Sequence, residues 1–169
     1  MPVVTLAPLT HEGWDAFVHE EVANYADQQV REAEWPPNEA LERSRAELTP
    51  VLDREFAEAA RKGHRLWTAM NRDGRTVGWL WVTPVEDESS TVAFIKQITV
   101  AESFRRRGYG RAMLAALEVL LAADRIDELR LNVFAANQPA RRLYASAGYE
   151  ELDQDDRWCY LRKRLTRMS

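Results

Sequence analysis

The sequence predicts a single mixed α/β domain spanning residues 1–169. Three observations carry this. Two long stretches with helical apolar spacing come first, strand-like runs follow, and a strand–helix–strand succession precedes a closing strand pair. A chain of 169 residues is long enough for one substantial core and short for two.

In chain order, Val3 to Leu9 reads as a short strand, ended by Pro8 and by the capping residue Thr10. Glu12 to Ala33 predicts a helix, because Trp14, Phe17, Val18, Val22, Tyr25 and Ala26 recur at intervals of three or four. Trp35-Pro36-Pro37-Asn38 stops it, since consecutive prolines lack donors and push the preceding residue out of helical space. Asn38 then predicts the cap of a second helix. That helix is expected to break near Thr49-Pro50, with Thr49 capping a restart toward Lys62.

Strand rhythm follows. Arg65 to Met70 and Thr76 to Val82 flank Asn71-Arg72-Asp73-Gly74, a hairpin turn. Val92 to Val100 comes after the polar stretch 86–90, then a helix from Gly108 to Ala123 and a strand from Glu128 to Phe134. A helix from Gln138 to Ala147 ends at Gly148, and Tyr149–Leu152 with Trp158–Leu165 makes a closing hairpin around Asp153-Gln154-Asp155-Asp156. The helical crossover implies that Val92–Val100 and Glu128–Phe134 run parallel.

Composition narrows the function classes. The chain is 46% hydrophobic and 30% charged, an ordinary globular mixture. A net charge of −4 argues against a general nucleic-acid binder. Nothing approaches 18 consecutive apolar residues, so no membrane span is expected, and Met1-Pro2-Val3-Val4-Thr5 lacks a signal-peptide pattern. The expected compartment is the cytoplasm. Cys159 is the single cysteine, which excludes an internal disulfide and a multi-cysteine metal site; in a strand it reads as an inert buried thiol. His11 and His19 are too isolated to suggest metal binding, and no metal is expected.

One segment stands out. Arg105-Arg106-Arg107-Gly108-Tyr109-Gly110 follows the apolar run 93–100 and opens the helical segment from Arg111. Strand, then Arg-x-x-Gly-x-Gly, then helix makes a site for a phosphorylated ligand. Glycines let the backbone approach closely, the first helical amides lack intrahelical partners and attract anions, and the arginines add positive field.

With that turn and the later block Leu131-Asn132-Val133-Phe134-Ala135-Ala136-Asn137-Gln138-Pro139-Ala140-Arg141-Arg142-Leu143-Tyr144-Ala145-Ser146-Ala147-Gly148-Tyr149, the sequence resembles the GNAT N-acetyltransferase superfamily. The resemblance is strong over roughly Phe94 to Tyr149. It implies a mixed, mostly antiparallel sheet of six to seven strands, helices on both faces, and a splayed parallel pair that admits the pantetheine arm of acetyl-CoA as the acyl donor. The implied donor site takes in Ile98, Thr99 and Val100 along the strand, and Arg105, Arg106, Arg107, Gly108, Tyr109, Gly110 and Arg111 around the pyrophosphate. Arg105 often holds the turn instead of the ligand. Asn132 would face the cofactor or make a structural bond. Asn137 has two jobs open to it, capping the next helix and bonding the pantetheine.

By its family position Tyr144 is the catalytic candidate: a phenol protonated at neutral pH can donate to the departing thiolate. The alternative is a core aromatic, since Leu143 and Tyr144 lie on a helix that must bury one face. Many relatives place a basic carboxylate on the strand before the glycine turn, but residues 91–101 contain no Asp or Glu. Candidate bases elsewhere are Glu86, Asp87, Glu88, Glu34 and His64. The acceptor, a small-molecule or peptide amine, is expected among the first two helices, their loop and the closing hairpin, where Tyr25, Trp35, Trp79, Trp81 and Trp158 offer aromatic walls. Trp79 and Trp81 share one sheet face, for which core packing is an alternative. Glu32, Glu34 and Glu39 hint at a cationic acceptor or simply solvate helix ends. Two function classes remain: an acetyl-CoA-dependent N-acetyltransferase working by direct attack in a ternary complex, and a silent acyl-CoA-binding sensor. A homodimer through exposed sheet edges is conceivable on either reading.

Overall fold

The structure is a computed structural model, and it describes residues 2–85 and 91–166. Leu9–Gly63 forms one compact unit; the remaining described residues form the other.

The larger unit is a seven-stranded sheet. Its strands are β1 (Thr5–Pro8), β2 (Arg65–Met70), β3 (Thr76–Pro84), β4 (Val92–Val100), β5 (Glu128–Phe134), β6 (Glu150–Gln154) and β7 (Trp158–Arg164). The spatial order is β1-β2-β3-β4-β5-β7-β6, and every neighbouring pair is antiparallel except β4–β5. Helices α3 (Tyr109–Ala123) and α4 (Gln138–Ser146) link β4, β5 and β6. Met113, Leu114, Leu117 and Leu121 of α3 and Tyr144 of α4 join Leu80, Val82, Ile95, Leu129, Leu131 and Val133 of the sheet in one apolar core. At Gly78 a Cβ would meet the backbone carbonyl of Thr99 at 2.3 Å and the end of Met113 at 2.8 Å, so only glycine fits against that stretch of β4 beneath the helix.

β4 carries a bulge. Trp81 pairs with Gln97 and Val82 with Ile95, which leaves Lys96 as the extra residue. The bulge switches side-chain parity. Ala93 and Ile95 lie in the helix-side core before it, and Ile98 and Val100 pack against that core after it. Gln97 and Thr99 consequently share the opposite face with their cross-strand partners Trp81 and Trp79.

The smaller unit is a helix pair, α1 (His11–Arg31) and α2 (Ala40–Ala59). Thr10 caps α1, its hydroxyl accepting from Gly13 N at 3.1 Å. Two expectations for α2 are corrected. Its N-cap is Glu39, without a side-chain cap bond, because Asn38 is consumed in the turn closed by Glu39 N to Pro36 O at 3.1 Å. The helix also continues through Pro50. Proline inside a helix costs about 3 kcal/mol, and packing on α1 from both sides of Pro50 offsets it. Ser44 Oγ donates to Val22 O at 2.7 Å before it; after it Asp53 accepts from Trp14 Nε1 at 2.9 Å, and Phe56 stacks on Trp14 with ring centroids 4.2 Å apart. Thr49, the expected second cap, buries its hydroxyl without a hydrogen bond among the described residues.

Other boundaries move by a residue or two. β1 is shorter than Val3–Leu9, and β3 runs on to Pro84. β6 extends to Gln154, so the closing turn tightens around Asp155, whose carboxylate accepts from Arg157 N, Trp158 N and the Tyr160 hydroxyl, each at 2.8 Å. Those bonds hold the Asp155 carboxyl below its usual range. No helix among the described residues is long and apolar enough to cross a membrane.

Candidate active site: an opened strand pair

β4 and β5 pair only through Val92–Glu128, Ala93–Leu129 and Phe94–Arg130. Beyond these the strands part around a cleft of about 340 Å³, with Ile95, Ile98, Asn132, Phe134, Asn137 and Tyr144 among its walls. Hydrogen-bond parity decides what the backbone offers there. Ala101 N donates to Val77 O at 2.8 Å, and bonded and non-bonded pairs alternate along antiparallel strands. Thr99 therefore gives its main chain to Trp79, whereas Ile98 and Val100 turn theirs away from β3 and into the cleft. The same parity on β5, starting from Ala135 N to Arg157 O at 2.8 Å, turns Asn132 and Phe134 inward. Two of these groups are engaged within the chain: Val100 O accepts from Arg105 Nε at 3.0 Å and Phe134 O from Asn137 N at 2.9 Å. The opened ladder leaves the others facing the cleft.

At the C-terminal end of β4, residues 102–104 form a 3-10 turn and Gly108 is the N-cap of α3. Gly108 has φ +83°, left-handed backbone that any other residue adopts only under strain. The helix has no side-chain cap, and its first backbone bond is Ala112 N to Gly108 O at 3.1 Å. The amides of Gly108, Tyr109, Gly110 and Arg111 precede that bond. Gly110 lies where a Cβ would press on Leu143 at 3.3 Å. The arginines divide by task. Arg105 turns back onto Val100, and Arg111 Nη2 reaches Ser146 O at 3.1 Å, at the far end of α4. Arg106 is exposed with φ +61°. Arg107 lies 6.0 Å from the centre of the Phe104 ring, and Arg75, from the β2–β3 turn, lies 5.0 Å from the same ring. Arg75, Arg106 and Arg107 make no ion pair among the described residues.

Across the cleft, Asn137 caps α4 by accepting from Ala140 N at 3.2 Å. Asn132 is exposed and lines the cleft rather than being buried. Tyr144 is only 7% exposed and also lines the cleft. Its hydroxyl makes no hydrogen bond among the described residues, and burial pushes the phenol up to about 12.

A model of the Acetyltransferase (GNAT) family matches residues 27–149, most of the chain. The chain belongs to that family. This GNAT member is 31% identical over 150 residues to the uncharacterized N-acetyltransferase YycN of Bacillus subtilis, covering 89% of this chain and 94% of the relative. The crystal structure of YycN superposes with a TM-score of 0.69 over 90% of this chain and 96% of that one. An aminoglycoside N(6')-acetyltransferase type 1 of Serratia marcescens is 30% identical over 130 residues, 74% of this chain and 84% of the relative. The PaiA N-acetyltransferase of Thermoplasma acidophilum, solved in complex with coenzyme A, shares the fold at 13% identity, with a TM-score of 0.70 over 95% of this chain and 98% of that one.

In this GNAT chain the remaining candidates sort as follows. Glu86, Asp87 and Glu88 lie outside the described residues. His64 is tied into the fold, its Nδ1 accepting from Trp81 Nε1 at 3.0 Å. Glu34 is exposed in the inter-helix loop, where Trp35 meets Tyr25 edge-on at 5.4 Å. Trp79 and Trp81 are buried. Trp158 stacks on Phe134 at 4.2 Å, and both line the cleft. Cys159 is a fully buried free thiol. No cluster of His, Cys, Asp or Glu among the described residues is placed to hold a metal. Sequence reasoning missed three residues. Lys96 lines the cleft with its ammonium 4.2 Å from the Trp81 ring, Phe134 stands at the cleft wall, and Arg75 comes from a turn read as plain. Placing the 71–75 turn beside the end of β4, which the antiparallel order implies, would have found Arg75.

Proposed function

We propose that this chain is an acetyl-CoA-dependent N-acetyltransferase that moves the acetyl group to a primary amine by direct attack in a ternary complex. The opening of β4 from β5, which leads to the uncapped start of α3, is the observation that carries this reading. An extended pantetheine arm fits between two strands whose inward main-chain groups, apart from the engaged carbonyls of Val100 and Phe134, face the cleft. A pyrophosphate fits the open amides of Gly108–Arg111, with Arg75, Arg106 and Arg107 supplying charge. Acetyl-CoA is here the donor substrate. The amine nitrogen bonds to the thioester carbon, the carbon–sulfur bond breaks, and coenzyme A leaves as the thiol once the attacking nitrogen has given up a proton.

The raised pKa of Tyr144 changes its role from that of a proton source. A free thiol titrates near roughly 8.5, so full transfer from a phenol at about 12 is uphill by about 5 kcal/mol. Tyr144 keeps its proton and donates a hydrogen bond to the developing thiolate, an interaction with a charged acceptor of about 1.5–3 kcal/mol. Positioning of both reactants supplies the rest.

The test is calorimetric titration with acetyl-CoA together with thiol release on a panel of amines. An aminoglycoside belongs on that panel because of the Serratia relative. Binding with turnover supports the proposal. Saturable binding without turnover on any amine points to the sensor, and no binding removes both.

A further inference from the structure

Tyr144 stands at the end of a helix of only nine residues, and short helices are marginal without outside support. How α4 ends is therefore how Tyr144 is held. Gly148, at φ +93°, allows the chain to fold back: Gly148 N donates to Ala145 O at 3.1 Å and Tyr149 N to Tyr144 O at 3.0 Å. This is the double-bonded Schellman closure, and its apolar contact joins Tyr144 to Tyr149, edge to face with centroids 5.7 Å apart. The carbonyl of Ala147 is left over. Lys163 of β7 takes it at 2.7 Å and spends its other donors on Glu118 of α3, at 2.9 and 3.1 Å. Its side chain runs past Gly148, and its ammonium lies 5.8 Å from the Tyr149 ring. The Tyr149 hydroxyl is buried near Glu118 but outside hydrogen-bonding geometry, so ring packing rather than a bond locates it.

We propose that the Glu118–Lys163 pair is a positioning device for Tyr144, fixing the end of α4 so that the phenol stays at the cleft wall. The pair touches neither the cleft nor a reactant; it acts through the Ala147 carbonyl and the Tyr149 ring. A cation at a helix C-terminus also suits the helix dipole, but that alone would serve stability and leave turnover untouched.

The inference rests on the reading that Tyr144 assists turnover, and a double-mutant cycle separates the two. Tyr144→Phe alone tests the reading. Lys163→Met, made in the wild-type and in the Tyr144→Phe background, tests the device. The expected result is a fall in turnover on the order of fivefold in the wild-type background, no change in the acetyl-CoA dissociation constant, and little further loss in the Tyr144→Phe background. Glu118→Gln, which keeps the size of the side chain, should show the same pattern more weakly and serves if Lys163→Met fails to fold. Equal losses on both backgrounds, or a stability loss with unchanged turnover, overturn the positioning role. Unchanged turnover in Tyr144→Phe alone removes the reading and the inference with it.

Discussion

Helices α3 and α4 follow the two strands that part at the cleft, β4 and β5, and their first turns are built in opposite ways. α4 begins with Asn137, whose side chain satisfies an amide, and with Pro139, which removes another donor. α3 begins with Gly108, has no side-chain cap, and leaves its first four amides outside the hydrogen-bond ladder near Arg106 and Arg107, which make no ion pair among the described residues. One start is finished by its own sequence and the other is left open. On the proposed function the helices would contribute accordingly, α3 main chain to the donor and α4 one side chain to the chemistry.

That division predicts which property each substitution damages. The largest effect is expected for Tyr144→Phe, a fall in turnover of about 10- to 100-fold with acetyl-CoA affinity kept, since a hydrogen bond to a charged group is worth about 1.5–3 kcal/mol. Steady-state kinetics beside calorimetry check it, and a matching loss of affinity would blur the division. Alkali should sharpen the view of α4. The folded pKa of Tyr144 lies above the reference value, so its neutral form is favoured in the folded state. The associated stability is complete below about pH 10 and disappears as pH rises from there to about 12, a loss of about 2.7 kcal/mol for two pK units. Spectroscopic titration of the tyrosines against unfolding curves tests this, and an ordinary titration near 10 would contradict it.

Gly108→Val attacks α3. It strains a left-handed position by about 1–2 kcal/mol and crowds the open amides, so acetyl-CoA binding should weaken about tenfold, about 1.4 kcal/mol. A retained dissociation constant in folded protein would move the pyrophosphate elsewhere. Asn137→Ala should cost about 1 kcal/mol of stability with affinity altered less than by Gly108→Val; the reverse ranking would make Asn137 a ligand first and a cap second. The smallest effect is expected for Arg75→Gln, about threefold in acetyl-CoA affinity and less at high salt, because one exposed charge near a phosphate is screened.

Much of this was legible in the sequence, for reasons that are local. β4 and β5 have the bounds that their apolar runs predict, and Asn71 Oδ1 accepts from Asp73 N and Arg75 N in the turn that its residue types announce. The uncapped glycine start of α3 was equally readable, because turn chemistry is written within a few residues. What escaped depends on distant partners. Pro50 looked like a break because propensity counts only its missing donor, while Trp14 and Val22 on α1 hold the helix across it. Arg75 looked like an ordinary turn residue until strand order brought it to Phe104. The division of the arginines was invisible too: whether Arg105 or Arg111 reaches a ligand or a carbonyl depends on where β4 and α4 end in space.

The doubled residue at Lys96 has an arithmetic of its own. Taking the lysine out would let Gln97 follow Ile95 directly, opposite Trp81 and Val82, and the ladder would close into regular pairing with Ile98 and Val100 still on the helix side. A deletion two residues later would not be so forgiving. Without Ile98 the hydroxyl of Thr99 would face Met113 and Leu114, and Val100 would swing to the tryptophan side. Loss of a residue should therefore be far better tolerated at the bulge than just beyond it.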